Sequence, residues 1–337
     1  MRIVVDAMGG DHAPSEIVQG ALDAVSDDSK IEIILIGDEK KINDSFPPSS
    51  DKSSITIYHT PQTVEMTDRP AQVIKQKPNS SIVAGIEMIK SKKARAFVSA
   101  GSTGAIIAAS LFLLGRIEGV RRPALGVFFP AGNNGLVLCD AGANSEAKPE
   151  HLFQFAIMAS EYMSHIQGVN EPAVGLLNIG AEETKGNHLY LESHTLMKEY
   201  LLHFRGNVES RYLFEGKVDV VVCDGFLGNN LVKFAEGWIS HVHRDISAQL
   251  KNQDESKEKS NEFKSIFSKA MRHFEYEEYG GVPLLGVNGD VIICHGSSPA
   301  RAIKNAIFAA KKSAETNLVG SIRDDISSTV SLIDGIA

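Results

Sequence analysis

One unit recurs along this chain. It is a short apolar, β-branched run that stops in small or polar residues rich in glycine. Its clearest instance is VDVVVCDGFLGNNLVKF at 218–234. Val218 to Val222 reads as a buried strand, because a short β-branched run suits a sheet covered on both faces. Asp224, Gly225 and Gly228 then read as a tight turn in which the backbone can come close to a ligand. Asn229 and Asn230 read as helix N-cap residues, and Leu231, Val232 and Phe234 as the apolar face of the helix that follows. Unpaired N–H groups and the positive dipole end at such a helix start suit an anion. Taken alone, one glycine turn is equally at home in a strand-to-helix connection that binds nothing.

The unit does not stand alone. Ile3–Val5 leads into Asp6, Gly9, Gly10 and Asp11, and Ala96–Val98 into Ser102, Thr103 and Gly104. Leu136–Leu138 leads into Cys139, Asp140 and Asn144, and Val174–Leu177 into NIGAEETKGN, which carries Lys185 and Asn187. Val291–Ile293 leads into Cys294, His295, Gly296, Ser297 and Ser298. Strands alternating with helices imply an α/β fold with a mostly parallel sheet. In such sheets ligands bind in a crevice at the carboxyl ends of the strands, so these turns are expected to reach one edge and form a site there.

The units run from Ile3 to Ser298 in a chain of 337 residues that is 43% hydrophobic, which predicts one large α/β domain over 1–337. A helical hairpin is expected to project from it at 240–278, where Phe263, Ile266, Phe267, Ala270, Met271 and Phe274 fall at helical spacing. That stripe suits packing on a partner helix or another subunit better than a membrane, since the local charge is nearly balanced. A formal net charge of −8 argues against a nucleic-acid binder. No segment approaches the roughly 20 apolar residues of a membrane span, and the start MRIVVDAMGG lacks the regions of a signal peptide. A cytoplasmic location is expected, with peripheral contact at the inner face of the membrane as the weaker alternative.

Cys139, Cys223 and Cys294 each close an apolar strand. No CxxC pair or HExxH segment supports a metal site. An aspartate follows Cys139 and Cys223 directly and disfavours a thiolate, so all three read as small buried residues. A P-loop, a GxSxG elbow and a GxGxxG fingerprint after the first strand are also missing. What remains is a set of amide and hydroxyl donors, Lys185, and the carboxylates Asp6, Asp11, Asp140 and Asp224. Such carboxylates serve equally often to cap helices and satisfy turn backbone.

Several of these motifs carry a resemblance. DAMGGD at 6–11, SAGSTGA at 99–105, DAGAN at 140–144, NIGAEETKGN at 178–187, VCDGFLGNNLVKF at 222–234 and GGVPLLGVNGDVIICHGSSP at 280–299 resemble the acyl-ACP:phosphate acyltransferase (PlsX) family. The likeness covers the chain in order and is poorest at 251–278. It implies a three-layer α/β/α architecture like that of isopropylmalate dehydrogenase and phosphotransacetylase. It also implies a homodimer, no cofactor, a role in phospholipid synthesis, and conversion of acyl-ACP and inorganic phosphate to acyl phosphate and ACP.

The donor set is compatible with that reaction. Phosphate has a second pKa of about 6 and is largely a dianion near neutrality. It can attack a thioester without a general base, and a leaving thiol with a pKa near about 8.5 needs little acid assistance. A phosphate cradle, donors for the developing oxyanion and exact positioning are then sufficient. Lys185 is assigned to charge stabilisation, and Asn229 and Asn230 to orientation. Ser102, Thr103 and His295 are secondary. An acidic carrier approaching an acidic protein needs a local basic patch. Lys264, Lys269 and Arg272 on the hairpin are favoured, with Arg116, Arg121 and Arg122 as the second candidate. Other classes stay open on the residues alone: a phosphotransacylase using an acyl-CoA donor, a dehydrogenase on a similar sheet, or a non-catalytic anion-binding scaffold.

Overall fold

A computed structural model describes residues 1–252 and 279–334. Eleven strands, β1 (Arg2–Asp6), β2 (Glu32–Gly37), β3 (Ile55–His59), β4 (Ala96–Ser99), β5 (Ala124–Phe129), β6 (Leu136–Cys139), β7 (Val174–Asn178), β8 (Phe204–Glu209), β9 (Val220–Val222), β10 (Val282–Leu285) and β11 (Asp290–Ile293), form one sheet. Their order is β3-β2-β1-β4-β11-β10-β5-β6-β9-β7-β8. The apolar runs ahead of the glycine turns all become strands. β2, β3, β5, β8 and β10 stand outside those six runs.

Most neighbours in the sheet are parallel, but β11–β10, β10–β5 and β5–β6 are antiparallel. Strand direction therefore differs between the two halves. β1 to β4 and β11 run one way, and β6 to β9 the other. This corrects the expectation of a single shared edge. The turns after β1, β4 and β11 leave one edge of the sheet, and those after β6, β7 and β9 leave the opposite one.

Helices cover both faces, as the three-layer expectation requires. Because side chains alternate across a strand, Ile3 and Val5 pack under α1 (Ser15–Asp27) and α9 (Ala300–Glu315), whereas Val4 faces α4 (Ser81–Lys90). α3 (Pro70–Gln76) and α5 (Thr103–Leu113) lie on the α4 side. α6 (Pro149–Tyr162) and α10 (Leu318–Asp334) lie on the α1 side of the other half, beside α7 (His188–Tyr200). The apolar sequence of α5 suggests a helix buried on most sides, and Phe112, 75% exposed, marks its open side.

α8 (Gly225–Asn252) begins earlier than its sequence suggests. Asp224 supplies the cap, its Oδ1 accepting from Leu227 N at 3.0 Å. Asn229 and Asn230 are therefore helical residues, not N-caps. The predicted projection at 240–278 lies, past Asn252, outside the described residues, and so do Lys264, Lys269 and Arg272. Among the described residues no helix is long and apolar enough to cross a membrane.

A carboxyl pair joins α6 to α10. Burial, then the charge of Asp325, pushes the Glu161 carboxyl up to about 7, and His165 Nε2 stands 3.3 Å from Glu161 Oε2. A carboxyl held above its unfolded value contributes stability that is complete below about pH 4.5 and lost as pH rises through about 7. Glu161→Gln is expected to raise thermal stability over wild type at pH 8 by about 2 kcal/mol, discounted for partial exposure, with the gap narrowing towards pH 5. A gap that stays constant across that range would contradict this coupling.

Candidate active site

The first group of turns is stitched together internally. Asp6 is buried; its Oδ2 accepts from Ser99 Oγ at 2.7 Å and its Oδ1 from Met8 N at 3.0 Å. Burial pushes this carboxyl above its ordinary range against the pull of those donors. Gly9 must be glycine because an added Cβ would lie 2.5 Å from Gly101 N. Asp11 N donates to Gly296 O at 2.7 Å, tying the turns after β1 and β11. Gly10 backs onto Gly296, and Gly104 onto Pro70. Ser102 stands at the N-cap of α5 without a side-chain cap bond, and Thr103 is exposed. His295 Nδ1 lies 2.8 Å from Ser297 Oγ and accepts from Ser297 N at 3.3 Å. The buried Ser298 hydroxyl has no partner among the described residues.

The second group centres on Asp140. Its fully buried carboxylate accepts from Leu125 N at 3.0 Å, Gly142 N at 3.1 Å, Ala143 N at 2.9 Å, and Asn144 N and Nδ2 at 2.9 Å each. Asp140 thus shapes its loop and leaves no lone pair directed at a ligand. The first turn of α8 lies on this loop. A Cβ at Gly225 would sit 2.3 Å from Asn144 O, and one at Gly228 only 1.9 Å from Asp140 O. These glycines read as turn residues in the sequence, but they serve close packing of helix on loop.

The loop after β7 joins through Tyr190, whose hydroxyl donates to Asp224 Oδ2 at 2.7 Å. Burial and that carboxylate push the phenol up. Asn187 caps α7, accepting from Tyr190 N at 3.3 Å. Asn178 Nδ2 donates to Lys185 O at 3.0 Å and holds the loop that presents Lys185. The Lys185 side chain is exposed and forms no ion pair with a described residue. The half-buried Asn229 side chain, beside Gly142, makes no hydrogen bond among the described residues. Asn230 spends its amide on Phe226 O at 2.7 Å and is exposed.

Arg116, Arg121 and Arg122 belong beside this second group. Pro123 O accepts from Asn144 Nδ2 at 2.8 Å, which places Arg122 next to the loop that carries α8. With Lys148 the three arginines line a cavity of about 490 Å³. Sequence reasoning missed Lys148 and Tyr190. Tyr190 has a faint signal, three residues after a capping asparagine; Lys148 has none, because only the fold brings it to the arginines.

The cysteines are buried. Burial, reinforced by the Asp140 charge, pushes the Cys139 and Cys223 thiols far up, and burial pushes Cys294 up to about 12. None is poised as a nucleophile.

A mixed sheet of this kind, with glycine-bound loops meeting at helix starts, defines an α/β protein of the phosphotransacetylase fold. The chain is similar to EutD phosphotransacetylase from Staphylococcus aureus, with a TM-score of 0.60 and 18% identity over 93% of this chain and 94% of that one. 4-Hydroxythreonine-4-phosphate dehydrogenase from Klebsiella pneumoniae shares the fold at a TM-score of 0.54 and 12% identity, covering 93% of this chain and 99% of that one. The family model described as fatty acid synthesis protein matches residues 1–320, and the chain belongs to that family. Relatives named phosphate acyltransferase include that of Desulforamulus reducens, 46% identical over 326 residues and 97% of both chains. That of Halothermothrix orenii is 45% identical over 333 residues, 97% of this chain and 98% of that one.

Gly228→Ala is expected to destabilise by about 1–3 kcal/mol, since overpacking forces helix and loop apart. Gly237→Ala on the same helix, where an added Cβ meets nothing within 4 Å, should be stabilising by about 0.5–1 kcal/mol. Urea unfolding of both measures the contrast. Equal effects would show that the Asp140 contact does not set the position of α8.

Proposed function

We propose that this acyltransferase makes acyl phosphate from an acyl-ACP thioester and inorganic phosphate, by direct attack of phosphate on the thioester carbon. The observation that carries the reading is the second group of turns. There the start of α8 is locked onto a saturated carboxylate, while Lys185 and Asn229 keep donors uncommitted. Phosphate oxygen forms the new bond to the acyl carbon, the C–S bond breaks, and the carrier thiolate leaves. Lys185 offsets charge on phosphate and the developing oxyanion, and Asn229 orients the reacting groups. The bond to Phe226 gives Asn230 a helical role instead. The sequences of the phosphate acyltransferase relatives support this chemistry, and three buried, unactivated thiols support attack without an acyl-cysteine. A homodimer is part of the same reading, supported by the exposed Phe226, Phe234 and Trp238 along α8.

Incubation with long-chain acyl-ACP and phosphate should yield acyl phosphate by mass spectrometry. Its absence would refute the reading. Lys185→Ala should lower kcat by about 10²–10³-fold in a protein that still folds, the usual loss for one preorganised donor. A near-normal kcat would remove Lys185 from the mechanism.

A further inference from the structure

We infer that the cavity lined by Arg116, Arg121, Arg122 and Lys148 binds the phosphodiester of the acyl donor's prosthetic arm, and so serves as the docking pocket of an acidic carrier. The inference rests on the functional reading above and assigns the donor's place within it.

The cavity gathers four basic side chains around about 490 Å³ on a protein of net charge −8. Its one lining carboxylate, Glu150, stands 4.0 Å from Lys148 Nζ, the limit of an ion pair. Arg122 has no partner among the described residues. Arg116 is steadied by donating to Arg121 O, and Arg121 N donates to Gln154 Oε1 at 2.7 Å. These bonds hold the segment in place along the cavity wall. Burial lowers the pKa of His151 in the wall; the Glu150 charge raises it, and the charges of Arg122, Lys148 and Arg121 lower it. Guanidinium groups are suited to phosphate oxygens through paired N–H donors.

Position favours the donor over the attacking phosphate. The cavity is lined by Leu111 of the last turn of α5 and by Pro123, whose carbonyl accepts from Asn144, the residue that packs against Gly225 at the start of α8. A flexible arm anchored here can carry a thioester to the uncommitted Lys185 and Asn229. The adjoining cleft, which shares Arg121 and Lys148, carries Glu192 and Glu199, so like-charge repulsion confines an anion to the arginine side.

Arg122→Glu, with Arg122→Lys as the conservative variant, tests this in steady-state kinetics with three substrates varied separately. Arg122→Glu should raise KM for acyl-ACP about tenfold at low salt, an effect that shrinks as ionic strength rises, and Arg122→Lys should recover most of it. KM for phosphate should not move. The gap between variant and wild type should close on acyl-pantetheine, which lacks the phosphodiester. An unchanged KM for acyl-ACP would overturn the assignment. A raised KM for phosphate with acyl-pantetheine as donor would overturn it in favour of a free-phosphate site. Failure of the wild type to form acyl phosphate from either donor would instead overturn the functional reading, and this one with it.

Discussion

The arrangement of the second half of the molecule hangs on the Asp140 carboxylate. Five N–H donors from Leu125, Gly142, Ala143 and Asn144 converge on it in a fully buried position. A buried charge is tolerable only when its lone pairs are occupied, and a chain folded tightly enough to occupy them has little freedom left. The carboxylate thereby joins the start of β5 to the end of β6, two strands that run in opposite directions. It also sets a surface on which α8 can rest.

That surface fixes the position of the candidate site. Gly225 and Gly228 bring the helix axis nearer to the loop than any side chain would permit. Tyr190 and Asp224 then bind the β7 loop to the same helix start. Three loops are over-determined in this way, which is what preorganisation of a site requires. Lys185 and Asn229 stand out because their neighbours are satisfied and they are not.

Much of this was legible beforehand. Apolar runs such as Val220–Val222 and Leu136–Cys139 could only be strands, and their polar ends marked the loops that matter. Lys185, Asn229 and Asn230 could be singled out together as donors, but the sequence did not say which of them the fold would leave uncommitted. The roles of the surrounding residues were less legible. Asp140 and Asp224 look alike in the sequence, each following a buried cysteine, yet one saturates a loop and the other caps a helix and accepts from Tyr190. Gly225 and Gly228 look like turn glycines, because the sequence does not reveal which backbone will approach them.

Strand direction was illegible for the same reason. ALGVFF at 124–129 and VPLL at 282–285 both become strands, and hydrogen bonding to a neighbour in either direction satisfies the same backbone groups. The sequence by itself determined the fold class and the family likeness, because these depend on local periodicity and on the kinds of side chain present. Only the tertiary structure decided which turns share an edge, which carboxylates are spent on backbone, and that Lys148 joins Arg116, Arg121 and Arg122. Those outcomes depend on contacts between residues far apart in the chain, where no local pattern records the partner.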